Sequence, residues 1–181
     1  MALHSLAVFC GSKNGKNKIF MQHAIQLGQM FARNGITLIY GGGSVGIMGT
    51  IADEVMNNGG KVIGVIPQVL VDWERQHNAL SELLVVDNMH TRKKKMYELC
   101  DAAIILPGGF GTLDELFEMI TWNQLSIHDK MIFLMNSAGF YNHLLAHINQ
   151  MHEENFLYEE ARKRLVILEH PSEMEKYINE K

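Results

Sequence analysis

The chain has little of what marks several protein classes. It carries two cysteines, Cys10 and Cys100, among 181 residues. They are too few and too widely spaced for a disulfide scaffold or a CxxC zinc site, so both are expected as reduced thiols. Prolines number only three, and no Pro-rich, Gly/Ser-rich or repeated tract marks a linker between domains. Basic residues are not in excess: 16 Lys and Arg stand against 20 Asp and Glu, a formal net charge of −4. That balance argues against a protein that grips a nucleic acid backbone. No apolar run is long enough to span a membrane, and the first residues lack the basic region of a secretory signal and read into a strand. The expectation is one cytoplasmic domain over residues 1–181, with no nucleic acid or membrane partner; its 47% hydrophobic and 20% charged residues are those of an ordinary globular protein.

What the chain has is alternation. Short apolar runs predict strands at residues 6–10, 36–40, 61–66, 83–86, 102–106, 131–135 and 165–168. Between them, apolar residues at helical spacing predict helices: Phe20, Ala24, Leu27 and Phe31 on one face of the first, then Val45–Met56, Met89–Asp101, Leu113–Leu125, Phe140–Glu154 and Ser172–Ile178. Residues 68–81 have no period and read as a loop or short helix over the sheet edge. Strand–helix alternation of this kind predicts an α/β fold, a Rossmann-like doubly wound parallel sheet with helices on both faces. In such a sheet the loops leaving the carboxyl ends of the strands open on one edge, where ligands bind. The turns at Gly11-Ser12, Gly41-Gly42-Gly43 and Pro107-Gly108-Gly109 are therefore expected to share one crevice.

The third turn carries the most chemistry. Pro107-Gly108-Gly109-Phe110-Gly111-Thr112-Leu113-Asp114-Glu115 ends an apolar strand and starts a helix, leaving backbone N–H groups suited to an anion. Glu115 follows within the first predicted turn. Thr112 as N-cap with Glu115 at N3 also reads as a capping box, which needs no chemistry; the upstream Pro107, Gly108 and Gly109 are not needed by a simple cap. Gly41-x-Gly43-x-x-Gly46 has dinucleotide-fingerprint spacing, but it follows the second strand and no acid for a ribose hydroxyl ends the next. A phosphate contact or plain close packing are the readings left open.

On the Met89–Asp101 helix, steps of about 100° put Met89, Met96, Leu99 and Cys100 on the buried arc with Arg92, while Lys94 and Lys95 point away. A buried arginine calls for an anionic partner, in the crevice or on a structural acid, unless it snorkels at the edge. His143 and His147 stand at i and i+4 without a third ligand or an HExxH glutamate, so no metal is expected. No GxSxG occurs, and Cys10 reads as packing.

Together, Met89-His90-Thr91-Arg92-Lys93, Pro107 to Glu115 and Gly41 to Gly49 resemble the Lonely Guy (LOG) family, cytokinin riboside 5′-monophosphate phosphoribohydrolases once mislabelled lysine decarboxylases. The resemblance runs from about Val8 to Ile178 and includes Gly64-Val65-Ile66-Pro67 and Ile120 to Leu125. It implies a homodimeric Rossmann-like enzyme without metal or redox cofactor. Such an enzyme cleaves the N-glycosidic bond of an adenosine monophosphate, often N6-substituted, to the free base and ribose 5-phosphate. It also implies catalytic roles for Arg92 and Glu115, and nucleotide contacts from Lys93, Gly109, Gly111, Thr112 and Thr121, with Glu74 near the base. Gly11, Ser12, Gly42 and Gly43 join these as substrate-binding positions at the shared edge. The phosphate is expected at Gly109–Thr112, with Gly42-Gly43 as the alternative. Ser126 and Met131 depart from the family's usual glycine and proline. The competing readings are a general AMP nucleosidase, a non-catalytic nucleotide or molybdenum-cofactor carrier on a similar fold, and a pyridoxal-phosphate decarboxylase. The carrier would not need Arg92 and Glu115 together, and for the decarboxylase no Schiff-base lysine stands out.

Overall fold

The computed structural model describes residues 3–71, 76–77, 79–157 and 163–178. Its strands are β1 (Ser5–Phe9), β2 (Thr37–Tyr40), β3 (Val62–Pro67), β4 (Glu82–Val86), β5 (Ala102–Ile105), β6 (Ile132–Met135) and β7 (Leu165–Leu168). They form one seven-stranded sheet in the order β4-β3-β2-β1-β5-β6-β7, and every pairing is parallel. The helices are α1 (Ile19–Arg33), α2 (Gly46–Asn57), α3 (Met89–Leu99), α4 (Phe110–Gln124), α5 (Asn142–Glu153) and the short α6 (Glu175–Ile178), which a 3₁₀ turn at Pro171–Met174 precedes.

The doubly wound sheet follows from strands that are apolar on both faces. Along β1, Leu6 and Val8 join one core cluster with α1 and α2, through Leu27, Phe31, Ile51 and Val55. Ala7 and Phe9 point the other way, into a cluster with Met96, Tyr97, Leu116 and Met119 of α3 and α4. Side chains alternate across a strand, so a central strand buried on both faces needs apolar residues at every position.

The chain winds outward from β1 to β4, then returns to lay β5 against the other side of β1. This reversal separates the helix N-termini on the two sides of the β1/β5 boundary and leaves a crevice beyond the carboxyl ends of those strands. Of the segment expected as a loop or short helix, residues 72–75 and 78 lie outside the described residues. A 3₁₀ turn covers Gln68–Leu70, and Gln76 then makes an isolated antiparallel bridge with Gly43. Next to it, His77 N–H donates to the Gly42 carbonyl at 3.0 Å, and His77 Nε2 meets Asp53 Oδ1 at 2.9 Å.

Not all of the interior is apolar. His23 of α1 is buried, with Nδ1 2.7 Å from Ser137 Oγ and its ring 4.9 Å from that of His170. Burial lowers its pKa below 6.5, and the nearby His170 lowers it further. His23 therefore stays neutral in the fold at pH values where the unfolded chain already binds a proton. Its contribution is intact above about pH 6.5 and is lost progressively as pH falls through the lower folded value. Urea unfolding at a series of pH values from 7.5 downward is expected to show this loss, at most about 1.4 kcal/mol per pH unit from this one group. His23→Gln, which retains a hydrogen-bonding side chain without titrating, should flatten the acid side of the profile.

Candidate active site

At the crevice the chain forms a cleft of about 530 Å³. One wall is the turn after β1, with Gly11, Ser12 and Lys13; Gly41 contributes from the end of β2, Met89 and Arg92 from α3, and Gly108 to Thr112, Asp114 and Glu115 from the start of α4. The turns after β1 and β5 are bonded to each other, Gly11 N–H donating to the Pro107 carbonyl at 3.1 Å. Behind them, the Tyr141 hydroxyl donates to the Leu106 carbonyl at 2.7 Å, fixing the strand end from which Pro107 departs.

Helix α4 begins at Phe110, with Gly109 as its N-cap and no capping side chain. The capping box expected of Thr112 and Glu115 does not form. Thr112 sits inside the first turn and Glu115 in the second, too far along to reach the N-cap. The Thr112 side chain is buried instead against Gly108, where any Cβ would run into it. Gly109 and Gly111 differ, because a Cβ at either would meet open space. Packing does not require those two glycines; bare backbone at an uncapped helix start suits the close approach of an anion.

Arg92 comes from the first turn of α3. That helix starts where it does because Asn88 caps it, its Oδ1 accepting from Thr91 N–H at 2.9 Å. The guanidinium is buried and donates from Nε to the Val65 carbonyl at 3.1 Å and from Nη2 to the Gly41 carbonyl at 3.3 Å. Gly41 directly follows β2 and Val65 lies within β3, so backbone carbonyls from two neighbouring strands set the orientation of the group. Gly41 is needed there because a Cβ at that position would collide with the guanidinium. Glu115, only 9% exposed, lines the same cleft.

Of the expected site residues, Gly11, Ser12, Arg92, Gly109, Gly111, Thr112 and Glu115 line this cleft. Four others stand elsewhere. Lys93 is buried between α3 and α4, with Nζ 3.1 Å from Asp114 and 2.9 Å from Glu118. Burial opposes its charge, but the hydrogen bonds and charges of Glu118 and Asp114 prevail and raise its pKa. Its geometry makes it a clamp between helices rather than part of the lining. Gly42 and Gly43 are buried under the Gln76–His77 segment, which takes the Gly42 carbonyl and bridges Gly43. Thr121 is exposed farther along α4. Glu74 lies outside the described residues.

The spacing pattern does not single out Lys13, Met48, Phe20 or Phe140, which also line the cleft; only their position after a strand, or on the helices flanking it, hints at them. His143 and His147 are exposed on α5, and the described residues contain no group of three side chains able to hold a metal ion.

Comparison with known proteins gives the fold and the family. The molybdenum cofactor binding protein from Rippkaea orientalis superposes with a TM-score of 0.73 at 21% identity, over 98% of this chain and 96% of that one; a likeness at that identity speaks for the fold alone. A family model described as "Possible lysine decarboxylase" matches residues 48–178. In sequence, the chain is 46% identical over 175 residues to "Probable cytokinin riboside 5'-monophosphate phosphoribohydrolase LOGL2" of Oryza sativa subsp. japonica, covering 97% of this chain and 72% of the relative. It is 44% identical over 175 residues to "Cytokinin riboside 5'-monophosphate phosphoribohydrolase LOG1" of Arabidopsis thaliana, covering 97% and 82%. The chain belongs to the LOG family of cytokinin riboside 5′-monophosphate phosphoribohydrolases.

Proposed function

We propose that the protein hydrolyses the N-glycosidic bond of an adenosine 5′-monophosphate, N6-substituted as in the cytokinin nucleotides named for its relatives, releasing the free base and ribose 5-phosphate. The observation that carries this reading is the meeting of Arg92 and Glu115 in one cleft beside the uncapped start of α4.

The 5′-phosphate lies at Gly109–Thr112, where free N–H groups and the helix dipole favour negative charge. That contact, distant from the reacting carbon, supplies binding energy that positions the ribose. Glu115 lies three residues beyond Thr112 and six beyond Gly109, about 4.5 to 9 Å further along the α4 axis at 1.5 Å per residue, a range that suits the span from phosphate to anomeric carbon. As the C1′–N9 bond breaks, positive charge develops on the ribose. The Glu115 carboxylate stabilises that charge and accepts a proton from the water whose oxygen bonds to C1′. The base departs with the C1′–N9 electron pair and takes up a proton from solvent, and Glu115 returns its own proton to solvent. Arg92, oriented by the Gly41 and Val65 carbonyls, brings its positive charge to the phosphate or to the carboxylate.

Incubation with AMP and with isopentenyl-adenosine monophosphate is expected to release base and ribose 5-phosphate in equal amounts. Higher kcat/KM for the substituted nucleotide identifies a cytokinin-activating enzyme; equal or higher kcat/KM for AMP identifies a general AMP nucleosidase. No product from any nucleoside monophosphate would leave a binding protein. Glu115→Gln keeps the size and hydrogen-bonding capacity of the side chain, so the variant should fold, with melting temperature as the check, while kcat drops by roughly 10²- to 10⁴-fold. A stable variant with full activity would remove Glu115 from the chemistry.

The protein is further proposed to be a cytoplasmic homodimer. Phe110, Phe117, Thr121 and Leu125 fall on one stripe of α4 at helical spacing, with Phe110 92%, Phe117 37% and Leu125 64% exposed. Thr121 touches substrate only if that stripe brings it to the cleft of a second copy. Light scattering on the eluting protein is expected to give twice the 20.5 kDa chain mass. Phe117→Glu should shift it to one chain mass; a monomeric wild-type protein would contradict the proposal.

A further inference from the structure

Charge in the cleft does not balance for the proposed substrate without one more residue. Among the described residues, the acidic and basic side chains on its lining are Lys13, Arg92, Asp114 and Glu115. Asp114 is engaged by Lys93, and Arg92 and Glu115 cancel formally. A 5′-phosphate monoester carries about −1.5 to −2 at neutral pH. Helix α4 offers it roughly half a positive charge, and the chain as a whole, at −4, provides no general attraction for a dianion. Lys13 is the remaining cation on the lining, and it makes no ion pair among the described residues.

Its backbone is unusually well fixed for an exposed loop residue. Gly46, at φ +65°, lies against the Ser12–Lys13 peptide so closely that a Cβ there would strike Ser12 C and Lys13 N. Gly11 is bonded on both sides, its N–H to the Pro107 carbonyl and its own carbonyl to Met48 N–H at 3.4 Å. The β1 turn is thus pinned between α2 and the Pro107 turn, so that Lys13 lines the same cleft as Gly109–Thr112. The glycine at position 46, which has no acid-bearing dinucleotide motif to serve, is accounted for by this packing.

We propose that Lys13 is a phosphate-binding residue, adding its charge from the turn after β1 to the anion site at the start of α4. This inference rests on the proposed phosphoribohydrolase reading. An ammonium on a flexible stem acts as a point charge, so its effect falls on binding of phosphate-bearing ligands and weakens with salt.

The test has two arms. Calorimetry follows ribose 5-phosphate binding to wild-type protein, Lys13→Gln and Lys13→Arg, at low and high ionic strength. Steady-state kinetics follows AMP hydrolysis by the same three. Lys13→Gln is expected to weaken ribose 5-phosphate and raise the KM for AMP by a similar factor, roughly ten- to thirtyfold at low salt. Its kcat should hold within about twofold, and the defect should shrink as salt rises; Lys13→Arg should restore most of the loss. Ribose 5-phosphate affinity unchanged within twofold in Lys13→Gln overturns the assignment, as does a loss confined to kcat. Wild-type protein that binds ribose 5-phosphate but turns over no nucleotide counts against the enzyme reading and leaves the Lys13 comparison valid by calorimetry. Wild-type protein that binds no ribose 5-phosphate counts against the anion site itself, Lys13 included.

Discussion

A buried guanidinium is the constraint around which this cleft is arranged. Taking Arg92 out of water is costly unless its donors are met, and the chain meets two of them with the carbonyls of Gly41, just after β2, and Val65, within β3. Those acceptors are neutral. They orient the group and satisfy part of its hydrogen bonding where it lines the cleft. The requirement reaches into the backbone, because residue 41 must lack a Cβ. It also sets the position of α3, whose Asn88 cap places Arg92 in the first turn. Lys93 then ties that helix to α4 through Asp114 and Glu118, so the helix bearing Arg92 and the helix bearing Glu115 are held to one another.

The second organising fact is where α4 begins. Starting at Phe110 rather than after Thr112, it leaves the Gly109–Thr112 backbone at the cleft and carries Glu115 into the second turn. A glutamate at N3 would have had a structural task; a glutamate a turn further on, nearly buried and lining a cleft, has lost that explanation. In the proposed reading, spacing along the helix separates the bound phosphate from Glu115 by about the distance that separates a nucleotide's phosphate from its glycosidic bond.

Much of this was legible in the residues. The seven apolar runs became the seven strands, because a strand buried on both faces needs an unbroken apolar run. The shared edge of the β1, β2 and β5 turns follows from the parallel winding. Where local pattern was insufficient, long-range contacts decided. Nothing near Lys93 shows that it meets carboxylates of another helix. Gly42 and Gly43 look as available as Gly109 and Gly111, until Gln76 and His77 occupy them. α5 begins at Asn142 rather than Phe140 because Ser137–Gly139 form a 3₁₀ turn with Ala138 at φ 51°, a departure that periodicity does not signal. Lys13 sits in an aperiodic loop, and its relevance emerges only when α2 and the Pro107 turn pin that loop.

The central claim is that Arg92 and Glu115 act as one unit on a nucleotide. A double-mutant cycle on kcat/KM for nucleoside monophosphate hydrolysis, using Arg92→Gln, Glu115→Gln and the pair, tests it most directly. A working unit predicts that the double variant is no slower than the slower single variant, since removing either partner already disables both. Losses that multiply independently would contradict that account and assign the two residues to separate tasks.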